Sequence, residues 1–132
     1  MTMQTLKSQP LATQINAEPL LGTWLNTNTA TLGISKAVLS ARNNGFVLRI
    51  FAANNNAEFP DWGEATATLF TNSTDSQEAM AFSAAYDFGF METDLQGHIR
   101  QGVLIIAKFD RFKDDSGRSN YISKEFFFRV RP

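Results

Sequence analysis

Few side chains in this sequence could carry out acid–base or nucleophilic chemistry. His98 is the only histidine and there is no cysteine. A Ser-His-Asp arrangement therefore has one candidate base, and a thiol nucleophile or cysteine-bound zinc is excluded. No Gly-x-Ser-x-Gly elbow occurs. Tyr86, beside Asp87, and His98 are the groups that could move a proton. Glu92, Asp94 and His98 fall at i, i+2 and i+6, a carboxylate–carboxylate–imidazole set of the kind that holds a divalent ion. On a strand, however, i to i+6 spans about 20 Å, too far for one ion. The expectation is no metal and no cofactor. Phosphate-cradling glycine motifs are missing, and Asp115-Ser116-Gly117-Arg118-Ser119 reads as a hairpin turn.

Charge is distributed unevenly. Residues 61–98 hold seven acids and no Lys or Arg, whereas residues 99–132 hold eight basic side chains against four acids. The simplest arrangement is one sheet in which the acidic middle pairs with basic strands. Lys108, Arg111, Lys113, Arg118, Lys124, Arg129 and Arg131 interleave with aromatics, as in sheets that stack bases. The formal net charge of −1 argues against nucleic acid as a partner. No apolar run is long enough for a membrane-spanning helix. The polar N-terminus has no apolar signal core, so a cytoplasmic location is expected.

The elements that must position these residues are strands. From Leu20 onward the apolar period is 2. Asn44-Gly45 lies between two alternating runs and predicts a hairpin pairing Ala41 with Leu48 and Leu39 with Ile50. Trp62–Thr71, Ala79–Met91, Gly102–Phe112 and Tyr121–Arg131 continue the alternation. Between the second and third of these, a turn at Gln96-Gly97 or at Gln101-Gly102 fits equally. Residues 1–19 form a flexible or loosely docked segment, with a short helix over Leu11–Ala17. Residues 20–132 form an all-β domain. The count of seven or eight strands joined by short loops predicts a single antiparallel up-and-down barrel, because closure removes the edges.

The first strand reads Leu20-Leu21-Gly22-Thr23-Trp24-Leu25-Asn26. Gly22-Thr23-Trp24 resembles the Gly-x-Trp that opens the first strand of calycin barrels: lipocalins, fatty-acid-binding proteins and avidins. Asn26, two residues after the Trp, matches the avidin version. The resemblance covers about seven residues plus the architecture, and implies a calycin-like barrel that encloses a small hydrophobic molecule. It also implies that Trp24 closes one end beneath Arg129 or Arg131, as a cation–π pair. The lipocalin disulfides are absent, and no further biotin-contact pattern follows.

All twelve Phe lie at or after position 46. They either line a cavity or fill the interior. The expected cavity lining is Phe82, Tyr86, Phe88 and Phe90, with Phe109 and Phe126 or Phe128 from neighbouring strands. Arg49, Tyr86, Asp87 and Lys108 are the candidate polar anchors. Consecutive Phe126, Phe127 and Phe128 cannot share a face, so an outward Phe could cover a homodimer contact. The leading functional reading is a binding protein for a small hydrophobic molecule. The alternatives are a small barrel enzyme with cyclase- or isomerase-like acid–base chemistry, and a dimeric interaction module with a filled core.

Overall fold

The structure is a computed structural model that describes residues 15–53 and 60–130. Eight strands follow in chain order: β1 (Gly22–Asn26), β2 (Ile34–Arg42), β3 (Gly45–Ala52), β4 (Asp61–Phe70), β5 (Ala81–Asp87), β6 (Met91–Arg100), β7 (Val103–Phe112) and β8 (Tyr121–Arg129). Each pairs antiparallel with the next, and β1 pairs with β8, so the sheet closes into an up-and-down barrel. The fold is all-β, and no helix occurs among the described residues. The expected helix over Leu11–Ala17 falls mostly outside them, as does Arg131.

The β2–β3 hairpin differs from the expected register. Ala41 pairs with Phe46, Leu39 with Leu48 and Ala37 with Ile50. The turn is Asn43-Asn44, with Asn43 in the left-handed region at φ 54°, a conformation Asn tolerates. The pairing slides by two residues, which preserves side-chain parity. The same set, Ala37, Leu39, Leu48 and Ile50, therefore still faces inward and is buried. The β6–β7 turn is Gln101-Gly102, both with positive φ, and Gly97 lies inside β6.

One end of the barrel is closed. Ala17, Leu20 and Ala79 cover it, and Leu20 and Ala79 have no exposed surface. The covering segment is tied to the β4–β5 connection by Asn16, whose amide donates to the Gln77 carbonyl (2.6 Å) and whose carbonyl accepts from Ala79 (2.9 Å). Above this lid the interior is solid with Leu39, Leu48, Leu69, Phe82, Leu95, Leu104, Ile106 and Phe127. Phe82 lies flat against Gly97, where an added Cβ would sit 2.4 Å from the ring. The other end carries the β1–β2, β5–β6 and β7–β8 connections and holds the polar interior residues.

Candidate functional site at the open end of the barrel

Period 2 along β7 turns Leu104, Ile106, Lys108 and Asp110 to the interior, while Ile105, Ala107 and Phe109 face out. On β8 the same period turns in Tyr121, Ser123, Glu125, Phe127 and Arg129. The apolar members of both sets lie in the closed half. The polar members other than Arg129 lie toward the open end, beside Thr93 of β6. A cavity of about 480 Å³ opens there, lined by Leu32, Gly33, Trp62, Phe88, Phe90, Met91, Lys108, Asp110, Tyr121, Ser123 and Glu125.

One wall is aromatic. β4 has an extra residue opposite β3: Ile50 pairs with Gly63 and Phe51 with Asp61. This bulge, with Gly63 at φ 81°, swings Trp62 out of simple alternation. Its ring meets Tyr86 edge-on at 5.4 Å and Phe88 at 5.2 Å. The Tyr86 hydroxyl lies 2.9 Å from the Gly63 carbonyl and 3.0 Å from the Leu48 carbonyl, sharing its one proton between them and fixing the bulge from inside. Burial, with Asp61 nearby, pushes the Tyr86 phenol well above its ordinary pKa. Tyr86 is thus a neutral strut, and Asp87, outside the barrel, pairs with Lys113 at 3.0 Å. Those two residues do not form a proton-transfer pair.

The opposite wall is polar and holds two clusters. In the first, Asp110 is fully buried, with Lys108 nearly so. Lys108 donates to one Asp110 oxygen, and Thr93 Oγ1 donates to the other at 2.6 Å. Lys108 Nζ also lies 3.4 Å from the Tyr121 hydroxyl and 4.9 Å from its ring centroid. In the second cluster, Glu125 organises the β1–β2 connection. Oε1 accepts from the Ile34 amide at 3.0 Å. Oε2 accepts from Asn26 Nδ2 at 2.8 Å and from Thr31 Oγ1. A Cβ on Gly33 would stand 2.5 Å from Oε1, so glycine permits this close approach.

At the closed end, the Arg129 guanidinium lies 5.0 Å from the Trp24 ring centroid and donates to the Pro19 carbonyl. The Trp24 indole N–H donates to the Leu20 carbonyl at 2.9 Å. The structure therefore brings Trp24 and Arg129 together beneath the N-terminal segment. Arg131 lies outside the described residues.

Of the expected lining, Phe88 and Phe90 border the cavity, and Phe82 and Tyr86 point inward beneath or beside it. Four placements are corrected. Arg49 is on the outer face, bound to Asp61 at 2.5 Å. Phe109 pairs with outward Asp94 and Ile122. Phe126 and Phe128 are 48% and 47% exposed, because the middle residue of the triplet, Phe127, is the one that faces in. Together with Leu25, Ile105 and Ile122 they give β8 and its neighbours an apolar outer surface. Glu92 and Asp94 are held from outside by Arg111, at 2.9 and 2.6 Å. His98 is exposed on the outer face. Among the described residues, no set of three or more His, Asp or Glu side chains is arranged to hold a metal.

Trp62, Thr93, Asp110, Tyr121, Ser123 and Glu125 were not anticipated as site residues. Gly63 within a strand pattern signals a bulge. With Phe127 inward, the period of two turns Ser123 and Glu125 inward as well.

No protein-family model, no curated protein and no solved structure matches the chain.

Proposed function

We propose that this barrel binds a small, largely apolar molecule in the cavity at its open end. The observation that carries the reading is the cavity itself. Its volume of about 480 Å³ lies within the usual range for small-molecule sites, roughly 300–1,000 Å³. Its walls divide into an aromatic side (Trp62, Phe88, Phe90) and a polar side (Lys108, Tyr121, Ser123, Glu125). That combination gives an apolar body a surface to lie on and its polar end a partner. The reading includes the calycin type of barrel. Gly22-Thr23-Trp24 on the first strand, with Arg129 of the last strand over the Trp24 ring, supports it.

The proposed activity is binding. Tyr86, Asp87 and His98 are spread between the interior wall and the outside, so an acid–base reading built on them has no geometric support. The uncharged fluorophore N-phenyl-1-naphthylamine tests the proposal. It is expected to bind saturably at one site, and Ser123→Trp, which fills the cavity, is expected to abolish binding without unfolding the barrel. Failure of the folded wild-type protein to bind the probe saturably would sink the reading.

A further inference from the structure

The charges around the cavity do not cancel, and the remainder points to the class of ligand. Among the described residues, four charged side chains face or border the space. Lys108 and Asp110 neutralise each other. Arg118, whose guanidinium lies 5.6 Å from the Phe90 ring centroid at the rim, is paired with Asp114 at 2.7 Å. Glu125 is different. Among the described residues it takes part in no ion pair. Its partners, Asn26, Thr31 and the Ile34 amide, are all uncharged donors. The hydroxyls of Tyr121 and Ser123 add no charge at neutral pH.

A carboxylate facing a cavity with low-dielectric walls sets a negative potential that only a cation can balance. The aromatic wall of Trp62, Phe88 and Phe90 adds no charge and offers a surface to an apolar body. An anionic ligand would have to give up its hydration beside Glu125 and Asp110. Lys108, already engaged by Asp110 and Tyr121, offers little compensation. From this geometry we infer that the cavity selects an organic monocation: an amine on a flat apolar body, its ammonium toward Glu125 and its body against Trp62 and Phe88. This deepens the small-molecule reading and rests on it.

Three naphthalenes of matched shape test the inference by calorimetric titration of the full chain at pH 7: 2-naphthylmethylamine, 2-naphthalenemethanol and 2-naphthoate. The expected order is amine, then alcohol, then carboxylate, with about tenfold or more between first and last. Amine affinity is expected to fall with added salt while alcohol affinity holds. In Glu125→Gln the amine should lose its advantage over the alcohol. Carboxylate binding equal to or tighter than amine binding overturns the inference and leaves the cavity reading intact. So does an amine advantage that survives in Glu125→Gln. If that variant does not fold, the salt dependence of the wild-type protein decides: equal salt response of amine and alcohol overturns the inference. Binding of none of the three overturns the cavity reading itself.

Discussion

At the scale of single residues, the Lys108–Asp110 pair is the most consequential group in the barrel. Asp110 has no exposed side-chain surface, and its two oxygens are taken by Thr93 and Lys108. Replacing a buried ion pair as a unit is often nearly neutral, whereas removing one partner strands a charge. Lys108→Ala is therefore expected to destabilise the protein by about 3–5 kcal/mol. Lys108→Met combined with Asp110→Leu is expected to lose much less than the single change. Urea denaturation of the two variants checks this, and equal losses would show that the pair does not act as a unit. Glu125 belongs to a second kind of residue. It holds the β1–β2 connection through neutral donors and leaves its charge available.

At the scale of elements, strand parity decides which residues meet. Parity was readable where apolar and polar residues alternate cleanly, as in β2, β3 and β5. Even a turn displaced from Asn44-Gly45 to Asn43-Asn44 left the inner face intact, because a slide of two residues moves no side chain across the sheet. Parity was not readable in β7 and β8, where both faces carry apolar residues. In Val103–Phe112 the large Phe109 suggests an interior position, yet the packed set is Leu104 and Ile106. That choice drags Lys108 and Asp110 inside. The bulge at Trp62 depends on one glycine and on the Tyr86 hydroxyl from another strand, a long-range dependence that local pattern does not encode. The closed end rests on a contact between two elements, Phe82 of β5 on Gly97 of β6. Gly97→Ala puts a methyl into that ring and is expected to cost about 1–3 kcal/mol. Adding Phe82→Leu should recover part of the loss. No recovery in a double-mutant cycle would show that the two sites are independent.

At the scale of the whole molecule, the acidic middle of the chain is bound from both sides. β4 acids pair with Arg42 and Arg49, and acids of β5 and β6 pair with Arg111 and Lys113. Hydrogen bonds from these cations hold Asp61, Glu64 and Glu92 below the usual carboxylate range. For Asp87 the Gly89 amide leads, with Lys113 second. A carboxylate whose pKa is lower in the folded state supports folding above its unfolded value, about 4. That support is lost as pH falls through the folded value. The pairs lie on the surface, so each contributes little and salt weakens it. The Tm is expected to stay level from pH 7 to about 5 and to fall below about 4. The fall should be shallower in 1 M salt; a Tm that is flat to pH 2, or a fall that salt leaves unchanged, would count against the belt.

The seam that closes the ring is short: β1 and β8 pair at Trp24–Arg129, Leu25–Phe128 and Asn26–Phe127, flanked by backbone hydrogen bonds from Thr27 to Phe126 and from Val130 to Thr23. β6 and β7, by comparison, run together from Met91–Phe112 to Arg100–Val103. Before β8 is in place, β1 and β7 each present an unsatisfied ladder to any passing strand. The same last strand carries Glu125, which grips the connection just after β1. The open-end cavity and the clasp that joins the two ends of the meander are thus one piece of architecture. Under the proposed binding, a guest lodged between Gly33 and β8 would span that joint as its rivet, so occupancy and resistance to unzipping would rise together.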